Sequence, residues 1–438
     1  MIATRFHSFR RRYTRCLWVA LLGLTVFSPA RAATDDFGKP VIHGELMIFA
    51  VDHSNPQYNR NLDASFIETT FKLGTRLSLG EHLSANLRGA FGSVWGQSRD
   101  LTFVQDETDA LLDIWNLEGT GLFGGHFGFT LGRQEFGFGD GFLVWDGVSD
   151  KATVWTAGMR SMPGVRVNFQ QGPLDLTLFS ARTDKPILVL DGYLGEHHGK
   201  SRLHGAHLAI NDTPAGNWEI AAFVRDDDSE IEADTIALSV RGEYTAKRLP
   251  ALSLEGELVK EAGTVKLLHG LPSSGTQDRD AWGGHLDAKW KFTAPLHPYL
   301  KISRITMSGD DPTTRDYEGY DPMLFGWVDW GTWFVGSISS WEVFSTNERV
   351  SLFELGLRPS ATTHLRLQFY DISLDREWSP GAGRNWSREI NTILDWTPPG
   401  PLIYGLAVNY AQPQSAAKAF MGDDQSRLEL MAWLIWNF

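Results

Sequence analysis

The chain has 438 residues, 42% hydrophobic content, a mean hydropathy of −0.22 and a formal net charge of −13. Beyond the N-terminal signal no apolar run approaches the roughly 18 residues of a helical membrane span, and the acidic balance excludes the basic excess on which nucleic-acid binding usually rests. The one cysteine, Cys16, precedes the apolar part of that signal, so a disulfide framework is excluded as well.

Residues 1–32 read as an export signal. Arg5, Arg10, Arg11, Arg12 and Arg15 form its basic region, Leu17 to Phe27 its apolar region, and Ala30-Arg31-Ala32 a small-x-small cleavage site. The mature chain, 33–438, then holds 34 basic against 53 acidic residues and no cysteine. An exported chain of this length without disulfides needs another way to hold its strands. A closed barrel supplies one, because every strand edge is paired.

From residue 41 onward the sequence falls into eighteen segments that mostly alternate apolar and polar residues, from 41 to 51 and 65 to 79 through 401 to 411 and 427 to 438. Their connections alternate in length. Eight are short, such as Gly80 to His82, Gln171-Gly172, Pro359 to Thr362 and Thr397 to Gly400. Nine are long, including 97 to 108, 135 to 163, 183 to 200 and 309 to 345. Short turns on one side and long loops on the other are what a transmembrane β-barrel requires, with the short side periplasmic. A soluble sandwich, the alternative for any single segment, has no reason to sort its connections so regularly.

Faces follow from the period of two. Phe71, Leu73, Leu77 and Leu79 alternate with Lys72, Gly74, Arg76 and Ser78, and Leu83, Leu87 and Phe91 alternate with Asn86, Arg88 and Gly92. Arg166 with Asn168, Glu255 with Glu257, His285 with Asp287, Lys289 and Lys291, Glu354 with Arg358, and Arg366 with Gln368 are expected inside by the same logic. Segments 109–118 and 296–308 do not alternate cleanly and receive no faces. The last segment, Leu428 to Phe438, places Leu428, Leu430, Ala432, Leu434, Trp436 and Phe438 on one side, as a lipid-facing closing strand would.

Two stretches carry more than architecture. The first is Leu131-Gly132-Arg133-Gln134, Phe138-Gly139-Asp140, Trp155, Arg160 and Pro163-Gly164-Val165-Arg166-Val167. The second is Ser308-Gly309-Asp310-Asp311-Pro312 followed by Tyr320-Asp321-Pro322-Met323-Leu324-Phe325. Together they resemble the alginate-export family of outer-membrane proteins. The resemblance implies an all-β, eighteen-stranded monomeric barrel in the outer membrane of a diderm bacterium, not an enzyme, that passes an acidic polysaccharide through an arginine-rich constriction; no cofactor is expected. Fixed guanidinium groups would replace the hydration of uronate carboxylates with charge-assisted hydrogen bonds.

The substrate-binding candidates are Arg133, Arg160 and Arg166 by the motifs, and Arg76, Arg88 and Arg366 by inward parity. Arginines that brace the wall against lumen carboxylates are the alternative for each, and Arg133 faces inward only if Gly132 marks a bulge. The connection after the sixteenth segment, Thr397 to Gly400, is shorter than the resemblance implies, which keeps open a porin for small solutes. An outer-membrane enzyme or adhesin is a further alternative, although no Ser, His and acid combination singles itself out. Expected partners are outer-membrane lipid, an anionic polysaccharide or small solute, and periplasmic export machinery. Asp310, Asp311, Asp316 and Asp321, or Asp226 to Asp228, could hold a structural calcium ion; solvated loop acids are the other reading. Trp327, Trp330, Trp333 and Trp341, in the longest loop, could stack on sugar rings or pack that loop into the barrel mouth.

Overall fold

A computed structural model of the chain describes residues 38–55, 58–61, 63–98, 108–144, 161–183, 200–228, 233–266, 276–321, 323 and 346–438. The strands are β1 (Pro40–Ser54), β2 (Asp63–Ser78), β3 (Leu83–Ser98), β4 (Thr108–Gly121), β5 (Phe127–Gln134) and β6 (Met162–Gln171). They continue as β7 (Leu174–Thr183), β8 (Lys200–Thr213), β9 (Gly216–Asp228), β10 (Ala233–Thr245), β11 (Leu252–Lys266) and β12 (Thr276–Lys291). The last six are β13 (Tyr299–Met307), β14 (Glu348–Ser360), β15 (Thr363–Leu374), β16 (Asn385–Trp396), β17 (Leu402–Pro413) and β18 (Arg427–Asn437). A short helix, α1 (Ser415–Met421), caps the loop between β17 and β18.

Each strand pairs antiparallel with its sequence neighbours, and β1 pairs with β18 from Glu45 opposite Asn437 to Ser54 opposite Leu428. The sheet is therefore a closed eighteen-strand barrel. Closure satisfies the backbone N–H and C=O groups of every strand within the wall, the condition for crossing a hydrocarbon layer. None of the described residues forms a helix long and apolar enough to cross a membrane.

Alternation decides which side chains meet lipid. Leu73, Leu87, Ile220, Leu238, Leu258, Leu286, Ile302, Phe353, Leu367, Ile390 and Leu406 all point outward, with Leu258 and Leu286 more than 60% exposed. So large a continuous apolar exterior is a lipid-contacting surface. Toward the short-turn end it is bordered by Trp218, Trp290 and Trp396, and by the stacked pair Trp396 and Tyr404, with ring centroids 5.1 Å apart. These are the bands expected at a membrane interface, and the barrel belongs in the outer membrane of a diderm bacterium.

The inner face is mixed. Glu68, Arg225, Glu261, Arg279, Asp287, Glu354, Glu389, Asn409 and Glu429 are buried inside the barrel. Between β16 and β3 the inner wall also carries an apolar patch beside these polar groups: Phe49, Val51, Phe66, Val94, Ile393, Met431 and Trp433 form one cluster, and Phe49 stacks on Trp433 at 6.2 Å. A Cβ at Gly405 would fall within the Trp433 ring, so this position on β17 admits only hydrogen.

The two segments without assigned faces are irregular for physical reasons. In β4 the register with β3 shifts between Arg88 and Gly89: Arg88 stands opposite Ile114 and Gly89 opposite Leu112. Asp113 is the extra residue of a bulge, turned inward onto Arg88. Residues 296 to 298 belong to the turn before β13, where Leu296 and His297 take positive φ. Within β13, Arg304 occupies the outward parity above Leu300 and Ile302, close to the loop end, and donates to Ser351 Oγ at 2.7 Å.

Candidate functional site

The lumen is organised by the segment that follows β5. Instead of leaving the barrel, residues 135–144 cross its interior. Phe138 packs on inward-facing Phe179 of β7, His207 of β8 and Phe223 of β9 at centroid distances of 5.0, 5.1 and 5.4 Å, and Phe142 reaches His285 of β12 at 5.4 Å. Phe136, Phe142, Leu143 and Val144 are buried. Between these rings Gly139, at φ 59°, lies against Arg241 and Glu219, where a Cβ would come within 3.3 Å of the Arg241 side chain. Next to it Asp140 places Oδ2 2.9 Å from His285 Nε2.

A second segment enters from the loop after β13. The backbone of Tyr317 exchanges hydrogen bonds with Asp278 and Asp280, extending the wall at the top of β12. Tyr320 then stacks beside Gly283 and Phe142, and Asp321 ends in a buried ion-pair set. Arg225 Nη1 donates to Asp321 Oδ1 at 2.7 Å, Thr235 Oγ1 donates to Oδ2 at 2.8 Å, and Arg279 lies 3.5 Å away. The Asp321 N–H donates to Glu261 at 2.9 Å. Burial pushes the Asp321 carboxyl up, but Arg225 and Arg279 outweigh it and hold it below the usual carboxylate range.

Of the six arginines expected to line a constriction, the five that are described are engaged by separate partners along the wall. Arg88 pairs with Asp113 at 2.6 Å and also with Glu135, fastening the start of the inward segment to β3. Arg76 pairs with Glu118 at 3.3 Å and Arg366 with Asp395 at 2.8 Å. Among the described residues, Arg166 faces the lumen with two long contacts, 3.5 Å to the Glu135 carbonyl and 3.5 Å to Thr130 Oγ1, and its buried Nε has no partner. Arg133 stands opposite Trp115 in an unbroken register through Gly132, so no bulge turns it inward. Its Nε donates to Ser161 Oγ at 2.8 Å, at the junction of β5 and β6. Arg160 lies outside the described residues, as do Trp327, Trp330, Trp333 and Trp341.

Toward the short-turn end, below the inward segments, lies a cavity of about 370 Å³ between β10 and β16. Lys289, Lys301, Arg358 and Arg366 supply its cations, and Glu243, Glu255, Asp287, Glu354 and Asp395 its carboxylates. Lys301 is held by Asp287 at 3.2 Å, and Lys289 sits over the Tyr299 ring at 4.1 Å. Arg358 has no carboxylate within ion-pair distance among the described residues. Arg358 and Arg166 are thus cations on the lumen wall with capacity for an incoming anion. Inward parity made Arg366 legible, whereas the convergence of β10 through β16 on one cavity was not.

The acids considered for calcium do not gather on one point. Asp321 is consumed by arginines, Asp310 accepts from the Glu318 N–H at 3.0 Å, and Asp311 caps Thr313. Asp226 faces outward, and the side chains of Asp227 and Asp228 lie outside the described residues.

No protein-family model matches the chain, and no curated protein does. Solved structures do. OccAB1 of Acinetobacter baumannii superposes with a TM-score of 0.60 at 8% identity, covering 94% of this chain and 99% of its own. OpdL of Pseudomonas aeruginosa gives 0.56 at 12% identity, covering 91% and 99%, and OccK2 (OpdF) of the same organism 0.56 at 11%, covering 91% and 98%. These likenesses place the fold among outer-membrane barrels and lend no support to the alginate-export family in particular.

Proposed function

We propose that this barrel is a passive outer-membrane channel for small charged solutes, the reading kept above as the alternative to polysaccharide export. One observation carries it: two segments, 135–144 and 308–321, place buried side chains inside the barrel, and toward the short-turn end the lumen wall forms a charged cavity of about 370 Å³. That volume suits a small molecule, for which binding sites run from about 300 to 1,000 Å³, and the side chains packed across the interior oppose the threading of a polymer. The barrel fold shared with the solved neighbours supports the same reading.

Arg166 and Arg358 are the wall positions at which an anionic group on such a solute would exchange water for guanidinium hydrogen bonds. Paired lumen charges such as Arg366 and Asp395 keep the path polar without offering a tight site, and exit stays possible because no single site holds the solute strongly.

The test is solute flux through the refolded mature chain in proteoliposomes, together with single-channel current in planar bilayers. Entry of small carboxylates and amino acids, with little or no entry of oligouronates longer than a few sugars, is the expected result. Current that long oligouronates block, with their passage across the bilayer, would return the assignment to polysaccharide export. Absence of both flux and current would leave an enzyme or adhesin as the reading.

A further inference from the structure

Asp140, Glu257 and His285 meet inside the barrel, and we propose that they form a divalent-metal site, suited to zinc, that fastens the inward segment to the wall. This goes beyond the channel reading and does not depend on it. Glu257 and His285 stand directly opposite each other on β11 and β12, so their side chains share the lumen face as neighbours. Asp140 arrives from residues 135–144. One ligand atom from each of the three lies within 4.8 Å of the others, and the residues are 4%, 9% and 5% exposed.

The histidine is prepared for the role. His285 Nδ1 lies 2.6 Å from Asp287 Oδ2, and Asp287 is itself held by Lys301 at 3.2 Å and by the Ser303 hydroxyl. A carboxylate accepting the Nδ1 proton fixes the tautomer in which Nε2 carries a lone pair, the carboxylate–histidine–metal arrangement of zinc sites. That Nε2 and Asp140 Oδ2 are both buried, and neither makes a well-directed hydrogen bond.

Charge favours a cation, and distance asks for one small adjustment. Two ligands of a tetrahedral zinc ion, each at 2.0–2.1 Å, stand about 3.3 Å apart, so Nε2 and Oδ2, at the ion-pair distance of 2.9 Å, would separate by about 0.4 Å to admit it. Glu257 is anchored through Oε1 by Ser239 Oγ at 2.5 Å, which leaves its second oxygen to turn toward Asp140. Two carboxylates buried side by side repel, and a divalent ion between them removes that repulsion. One imidazole nitrogen and two carboxylate oxygens leave the fourth position of the ion open.

The experiment uses the refolded mature chain in detergent, stripped with chelator and titrated with zinc chloride by calorimetry. One saturable equivalent is expected, weakened at least tenfold in His285→Ala and by roughly 10- to 100-fold in Asp287→Asn, which removes only the partner of the ligating ring. Heat-modifiable electrophoretic mobility reports whether each variant barrel is folded. Should the variants not fold, cobalt chloride added to the wild-type protein decides: an intense visible band of low-coordinate cobalt, bleached by one equivalent of zinc, supports the site. Absence of saturable zinc binding, equal affinity in a folded His285→Ala, or only the weak band of hydrated cobalt overturns it. Binding is read without any flux, so this site and the channel reading stand or fall separately.

Discussion

At the residue scale, Asp321 holds the second inward segment on one carboxylate. Its side chain and those of Arg225 and Arg279 are at most 2% exposed, so each charge depends on its partners and not on water. Asp321→Asn removes the carboxylate that Arg225 and Arg279 share, leaving Glu261 3.6 Å from Arg279. Breaking such a set costs about 3–5 kcal/mol. The expected outcome is a barrel that keeps its heat-modifiable mobility while the 308–321 segment becomes sensitive to protease. The same carboxyl sets a pH dependence. Because its folded value is depressed, the anchoring is present above the ordinary unfolded value of about 3.9 and is lost only as pH falls through the lower folded one. Amide exchange followed from pH 7 downward should show unchanged protection of this segment to about pH 4 and loss below it. Asp140 and Asp321 both belong to the motifs that resembled the alginate-export family, yet the structure uses them to fix inward segments. Sequence marked the positions and could not show their partners, because Arg225, Glu257, Arg279 and His285 come from strands far away in the chain.

At the scale of the element, the strands were legible because lipid imposes a period of two on one face. Segments 216 to 225 and 363 to 373 became β9 (Gly216–Asp228) and β15 (Thr363–Leu374), and the short and long connections alternate except between β9 and β10, where strand pairing runs further than expected and leaves only 229–232, fewer residues than the 246–251 connection that follows. The period failed where a bulge or an outward charge intervened, at Asp113 in β4 and Arg304 in β13. Arg88→Ala tests the bulge. It strips the counter-ion from Asp113, whose side chain is fully buried, and the expected loss is about 3–5 kcal/mol, read as a lower denaturant midpoint for the refolded barrel. Gly405→Val tests close packing on the inner wall. The new side chain displaces Trp433 from β17 and should cost about 1–3 kcal/mol by the same measurement. No pattern in the sequence announced the apolar patch on the inner wall, since alternation identifies the lipid face and leaves the opposite face free to be polar or not.

At the scale of the whole molecule, wall and filling are held by different forces. The wall is a ring of backbone ladders, complete in itself. The filling is held by side chains, namely the Phe138 and Phe142 contacts, the Arg88 pairs and the Asp321 set. Replacing residues 136–144 with a Gly-Ser spacer of equal length should therefore leave a folded barrel and raise single-channel conductance several-fold. A conductance unchanged from wild type would mean that this segment does not limit the path.

That division also bears on how such proteins change over evolutionary time. A ladder of main-chain bonds asks little of side-chain identity beyond an apolar exterior, so nearly all residues can be exchanged while the frame persists. Superposition on OccAB1 over 94% of this chain at only 8% identity is what such tolerance produces. Within a fixed frame, substitutions in 135–144 or 308–321 would reshape the lumen, and on the channel reading proposed above would change which solutes pass, without refounding the fold.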